Sequence, residues 1–343
     1  MSPAATDPAT FEAELTRQRA RLRLHCYRMV GSLDDADDLT QEASLRAWRH
    51  LGSFAGESSL VTWLFQIATN VCLDHLRRRA RERRPRVPAA EFPQVPAQVA
   101  VPWLQPYADH PGDVDAVATA TPEPGPGPEE QAVSRDTLRL AFVAAVQYLP
   151  PRQRAAMLLR DGLGWPVRRC AEALESSSAS VNSALQRARA TMRDVLDVDP
   201  DRWQDDDSDA GPLVAEYIAA VESADDTRIA RLLHEEIRVS HAPGAGGNTT
   251  DDVAWYAGVA TVLEGWAPIL HDERSRQAMA MRPVAMNGDV GIAVWIREPG
   301  STGEWEAFAL DALTVRDGLV REISTFGAEL FEAFGLPLRT MTV

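Results

Sequence analysis

Lysine is absent from this sequence: all 35 basic side chains are arginine. That bias reads as GC-rich coding. Arginine suits phosphate and guanine contacts, but composition alone does not argue for them. Cysteine is scarce, and Cys26, Cys72 and Cys170 form no CxxC pair. A zinc knuckle or a disulfide framework is therefore excluded as the organising device, and each cysteine, lying in a helical pattern, reads as a small core residue. The seven histidines show no cluster, so no metal site, cofactor or pH switch is expected. No apolar run approaches the roughly 20 residues of a membrane span. The opening MSPAATDPATFEAEL lacks the basic-then-apolar order of a signal peptide, and a cytoplasmic protein is expected.

The charge that is present is unevenly spread. Residues 1–86 carry 14 Arg against 11 Asp+Glu, residues 87–200 carry 10 against 14, and residues 201–343 carry 11 against 25. The net charge of −15 thus comes from one end and says nothing against a nucleic-acid partner for the other. A basic front and an acidic back raise the prospect of internal electrostatic docking.

At 343 residues the chain holds two or three domains. Ala36, Leu39, Ala43, Ala47 and Leu51 follow helical spacing, and a second helix starts at Ser59, its N-cap. That helix has Leu60, Trp63, Leu64, Ile67, Ala68, Val71 and Cys72 on one face and ends in RRRARERRPR. Residues 87–130 hold ten prolines and read as an extended linker. Inside it VPWLQPY (101–107) is too apolar to stay solvated, so docking is expected. Residues 131–198 are helical again, with Pro166–Leu174, the turn ESSS and Ala179–Leu196 giving helix, turn, helix, and Ser180 expected to cap the last. After an acidic linker at 199–211 the period changes. Helical patterns at 212–234 and 251–265 precede strands joined at Asn287-Gly288, Pro299–Gly303 and Asp317-Gly318. An antiparallel meander with helices on it makes 212–343 an α+β domain.

On the helix from Leu60, the polar row Gln66, Asn70, Asp74, Arg77 and Arg78 can offer amides to base edges and arginine to phosphates. A solvated surface is the bland alternative for such a row. The aromatic face of Trp63 can hold an unstacked base, but Trp63 lies on the apolar stripe, so it is read as core, and Trp48 likewise.

With DDADDLTQEASLRAWRHLGSF and SLVTWLFQIATNVCLDHLRRRARE in view, Asp34–Arg86 resembles region 2 of sigma-70 family factors of the extracytoplasmic-function group. The resemblance implies that residues 10–86 bind the clamp helices of the polymerase β′ subunit through Asp37, Asp38, Leu39, Gln41 and Glu42. It implies capture of a flipped −10 base by the loop holding Phe54, Gly56, Glu57 and Ser58. It also implies −10 contact through Gln66, Asn70, Asp74, Arg77 and Arg78. Residues 131–198 resemble sigma region 4, which implies contact with the β flap and the −35 element. SVNSALQRAR stands where TVKSRLhRAR is usual, so Ser178, Ser180, Asn182, Ser183 and Gln186 would read the groove while Arg187 and Arg189 hold phosphate. Asn182 and Ala184 replace the usual Lys and Arg, which implies weaker or altered −35 contact.

The tail resembles the SnoaL-like cone. Sigma factors carrying such a tail have a Trp-Leu-(Pro/Gln)-Pro linker motif, here Pro102–Pro106. The resemblance implies that Trp103, Leu104 and Tyr107 dock on the cone, and that the tail contacts linker and region 2 to modulate activity. Asp311 shares an expected strand face with Trp305, Ala307, Ala309 and Leu313, and with Tyr217 forms a candidate pocket. Against this stands a solvated Asp311, or one paired with Arg297. The expected architecture is multidomain: two all-α modules joined by a Pro-rich linker, plus an α+β cone. A sigma factor without covalent chemistry is the leading reading. Its alternative is a bifunctional protein whose cone binds or isomerises a small apolar ligand.

Overall fold

Asp7, Ser32 and Ser59 start the three helices of the first module by accepting the backbone N–H of Thr10, Asp35 and Thr62 at 3.3, 3.3 and 3.1 Å. The helices are α1 (Pro8–Val30), α2 (Leu33–His50) and α3 (Leu60–Glu82). Gly31, at φ 77°, closes α1 in the left-handed region that only glycine adopts freely. The computed structural model describes residues 7–56, 58–82, 101, 104–109, 139–196 and 210–343. Phe11, Cys26 and Met29 of α1, Ala36, Leu39, Ala43 and Ala47 of α2, and Leu64, Ala68 and Cys72 of α3 form the core between them.

The second module follows with α4 (Leu140–Val146) and α5 (Pro151–Met157), which widens into one π-helical turn at Leu158–Gly162. Then come α6 (Val167–Ala173) and α7 (Ser178–Leu196). The α7 cap is Ser177, whose hydroxyl accepts the N–H of Ser180 at 3.2 Å. The expectation of Ser180 as cap is corrected: the cap lies three residues earlier, because the Ser177 hydroxyl meets the otherwise free N–H of Ser180 in the first turn.

The C-terminal part starts with α8 (Gly211–Glu222) and α9 (Asp226–Leu232), then β1 (Leu233–His241), β2 (Ala254–Ala257), α10 (Val259–Leu270) and α11 (Glu273–Gln277). Strands β3 (Met279–Met286), β4 (Asp289–Ile296), β5 (Trp305–Arg316) and β6 (Leu319–Gly327) follow, and β7 (Arg339–Thr340) pairs with β5. The order is β2-β1-β6-β5-β4-β3, antiparallel except that β1 runs parallel to β6. The two type I′ dipeptides turn as expected, with φ of 55° and 74° at Asn287-Gly288 and 53° and 71° at Asp317-Gly318. Two expectations are corrected. Residues 254–257 form a strand rather than helix, since Gly258 at φ 89° ends the extended run and α10 starts only after it. β1, unread in the sequence, makes the sheet mixed and not a pure meander. Core residues Val214, Ile218, Ile229 and Val262 of the helices cover Val239, Val294, Leu313 and Ile323 of the sheet.

The described residues divide into two compact units. One takes those of Met1–Pro88 and His110–Gln204, the other those of Ala89–Asp109 and Asp205–Val343.

Candidate functional site

On α2 the side chains of Asp37, Asp38, Gln41 and Glu42 are exposed, while Leu39 is 5 % exposed and belongs to the module's core. Leu39 as a partner-facing residue is therefore corrected: it sits on the same stripe as Ala36 and Ala43, which faces α1 and α3. Two large apolar residues lie beside the acids instead. Leu45 and Trp48 are each 49 % exposed, which also corrects the core reading of Trp48. Position 48 falls one step off the Ala36–Ala47 stripe, so its ring meets Phe11 only at the rim, centroids 5.5 Å apart. Positions 38, 41, 42, 45 and 48 share one helical face, a mixed acidic and apolar strip of the kind that partners cover. Asp37 is held by Arg23, and Glu42 by Arg46 at 2.7 Å.

The loop before α3 places Phe54 against Trp63, centroids 5.0 Å apart, with Gly56 at φ 70°. Trp63 also meets Phe11 at 6.5 Å. Ser58 is half-buried, and Glu57 lies outside the described residues. Along α3, Gln66, Asn70 and Asp74 are half-buried, and Arg77 and Arg78 are exposed. Asp74 pairs with Arg77 and, at 3.5 Å, with Arg46.

The second module covers part of this face. Gln66 Nε2 donates to Glu175 Oε1 at 2.7 Å, and Arg169 Nε donates to Thr62 Oγ1 at 2.8 Å. The Trp165 ring meets Phe65 at 5.4 Å edge-on and carries the Arg169 guanidinium on its face at 4.0 Å. Deeper in, Arg154 is 1 % exposed; it donates to Gln147 Oε1 at 2.7 Å and to the carbonyl of Met29 on α1. Gln147 in turn donates to the carbonyl of Arg28 at 3.0 Å. A buried guanidinium is tolerated only when its donors find acceptors, and here part of that set belongs to the first module. Arg154, Arg169 and Glu175 escaped the sequence reading because nothing in their spacing shows which helix they meet.

Ser178, Ser180, Asn182, Ser183, Gln186, Arg187 and Arg189 are all exposed on α7. Val181, Leu185, Ala188 and Met192 are buried on its other face, which packs on α5 and α6. Arg187 donates to Ser183 at 2.7 Å, and Arg189 to Asp161 at 3.1 Å.

The cysteines are buried, and tertiary packing brings Cys26 and Cys72 together; Cys26 and burial push the Cys72 thiol well up. His25 donates to or accepts from Thr69 at 2.9 Å, and burial pulls it down to about 3.

In the C-terminal unit, residues 104–109 lie against the β3–β4 turn. The N–H of Tyr107 donates to Asn287 Oδ1 at 2.7 Å, the Asn287 N–H returns to the Tyr107 carbonyl at 2.9 Å, and the Gly288 N–H meets Asp109 Oδ2 at 2.7 Å. Tyr107 is fully buried and Leu104 is 5 % exposed; Trp103 lies outside the described residues. Asp311 accepts from the Thr325 hydroxyl at 2.6 Å, and burial raises it to about 6. This corrects the solvated or Arg297-paired reading. Arg297 instead covers the Trp305 ring at 4.1 Å. Trp305 is removed from the pocket: the register shift between Val294 and Trp295 inserts Phe308, so positions 305 and 307 leave the face of 309 and 311. Tyr217 stays near Asp311, its phenol pushed up by burial and then by that carboxylate.

Residues 15–82 match the family model of sigma-70 region 2, and residues 139–192 match that of sigma-70 region 4. The ECF RNA polymerase sigma factor SigG of Mycobacterium tuberculosis (strain H37Rv) is 36 % identical over 346 residues, covering 98 % of this chain and 86 % of that protein. SigJ of the same organism is 26 % identical, with 90 % and 88 % covered. The crystal structure of M. tuberculosis SigJ superposes with a TM-score of 0.61 at 22 % identity, covering 95 % of this chain and 99 % of that one; it shares the fold, C-terminal domain included.

Proposed function

The chain belongs to the sigma-70 family, as an extracytoplasmic-function RNA polymerase sigma factor, and on that premise we propose how its residues divide the work. The strip of Asp38, Gln41, Glu42, Leu45 and Trp48 binds the β′ clamp helices of core polymerase. Asn70, Arg77 and Arg78, with Gln66 once it is released, contact the −10 element, and the loop at Phe54–Ser58 holds an unstacked base. The exposed face of α7 reads the −35 element, with Arg187 and Arg189 on phosphates. The C-terminal unit modulates initiation by seating the linker between the two modules, and the protein works in the cytoplasm beside its polymerase. Among the described residues no helix is long and apolar enough to cross a membrane.

The observation that carries this reading is the direct packing of α6 and its turn on α3. The two promoter elements differ in conventional position by about 25 base pairs, roughly 85 Å of duplex at 3.4 Å per pair. Modules in hydrogen-bond contact cannot touch both. The packed arrangement is therefore a resting state that must open on polymerase. It also occupies Gln66, a proposed −10 contact, while leaving the proposed −35 face of α7 clear.

In vitro transcription from a selected promoter with purified core polymerase tests the assignment, comparing the full chain with one ending near Asp205. Initiation that depends on the protein supports it, and a rate difference between the two forms gives the sign of the tail's effect. Duplex binding without polymerase, with no initiation from either form, overturns it.

A further inference from the structure

The inner face of the C-terminal sheet carries a polar row that the promoter role does not use. His241 of β1, Thr325 of β6, Asp311 of β5 and Ile292 of β4 are direct cross-strand neighbours. Asp311 lies between Ala309 and Leu313, two members of the apolar core under α8 and α10, so its carboxylate points the same way as that core. Its environment is apolar enough to raise it to about 6, yet the residue keeps accessible surface.

Hydrogen bonds account for only half of what is there. Thr325 occupies Oδ1 of Asp311 at 2.6 Å, and no described residue bonds the second oxygen. Tyr217, only 6 % exposed, makes no hydrogen bond to any described residue, although buried phenols ordinarily find one. Around these two groups stand aromatic walls. Trp266 donates to the Tyr256 hydroxyl at 2.9 Å, the Tyr217 and Trp266 rings meet at 6.3 Å edge-on, and His241 stacks on Tyr256 at 6.0 Å. The indole and imidazole thus fix the Tyr256 ring in place.

We propose that this inner face is a binding site for a small, flat, apolar molecule bearing a hydroxyl, which donates to Asp311 and accepts from Tyr217. A hydroxyl satisfies both at once through a single oxygen: at neutral pH the carboxylate can only accept, and the phenol then has its proton to give. The aromatic walls supply apolar area, and the unpaired acceptor supplies selectivity, because an analogue lacking the donor leaves it buried and unmatched. The inference stands apart from promoter recognition, and its test needs no polymerase.

The test is fluorescence titration of 2-naphthol into the full chain, with 2-methoxynaphthalene as the donor-less analogue. The expected result is saturable binding of 2-naphthol, with the methoxy compound weaker by about 10-fold or more, the worth of one hydrogen bond to a charged acceptor. Tyr217→Phe should weaken 2-naphthol by about 5- to 10-fold, and Asp311→Asn should erase most of the discrimination between the two compounds. No saturable 2-naphthol binding tighter than about 1 mM overturns the proposal. So does equal binding of the two compounds by the unmutated chain, which holds whether or not either variant folds.

Discussion

Replacing Arg169 by alanine and Glu175 by asparagine removes the Gln66–Glu175, Arg169–Thr62 and Arg169–Ser59 hydrogen bonds at 2.7, 2.8 and 3.4 Å. Asparagine is chosen because Glu175 sits at φ 48°, a region asparagine tolerates, and because it is too short to reach Gln66. The two stronger bonds involve a charged partner at the rim of the contact and contribute about 1 kcal/mol each; the third is at the limit of bonding distance. Part of the Arg169 contribution is offset, since its charge pushes down the neighbouring Arg21, itself lowered first by burial. The net loss is about 1–2 kcal/mol, which lowers the closed-to-open ratio by roughly 5- to 30-fold. Thr62 keeps its bond to Ser59 at 2.8 Å, so no buried hydroxyl is orphaned and the modules should remain folded. Two readouts are needed: amide exchange along α3 and α6 in the free protein, and the factor concentration giving half-maximal transcript with limiting core polymerase. Faster exchange with a lower half-maximal concentration is expected. Faster exchange with an unchanged concentration would refute the idea that this contact limits promoter engagement.

Other expectations concern titration and chemistry. Asp311, raised from 3.8 to about 6, binds its proton more tightly folded than unfolded, so its ionisation destabilises the fold above that window by about 2–3 kcal/mol. Asp311→Asn should therefore raise the melting temperature of the C-terminal unit above pH 7, with the gain fading by pH 4 in a calorimetric series. Glu322, raised to about 7 chiefly by burial, predicts the same sign one unit higher for Glu322→Gln. His25, lowered from 6.5 to about 3 by burial and then Arg28, works oppositely. The first unit should lose up to about 4 kcal/mol as pH falls from 6.5 towards 3, seen as faster exchange in α1 and α3; unchanged exchange at pH 4 would refute the burial argument. Cys26, Cys72 and Cys170, all fully buried, should resist a soluble disulfide reagent in the native chain and react once denatured; rapid native labelling would contradict their packing.

The helices of the first unit were legible because each carries its own signals. Ser59 caps α3, the Ala36–Leu39–Ala43–Ala47 stripe marks the buried side of α2, and Pro150–Pro151 opens α5. The hairpin dipeptides at 287–288 and 317–318 were equally local. β1 and β2 were not legible, since a strand that pairs with β6 from some eighty residues away leaves no short-range trace, and Trp255-Tyr256 reads as helix or strand alike. Trp305 was misplaced for the same reason: alternation places it on the face of Asp311, and one inserted residue in the β4–β5 ladder reverses it.

By itself, then, the sequence determined the module types, their order and the exposed side of α7, because capping, periodicity and motif spacing are properties of neighbouring residues. Tertiary structure alone decided that Trp48 is surface, that Gln66 is held by Glu175, that Arg154 shares its acceptors between two modules, and that Tyr217 stands near Asp311. Each of those depends on which side chains from distant segments share a low-dielectric space, and such proximity exists only once the chain is packed.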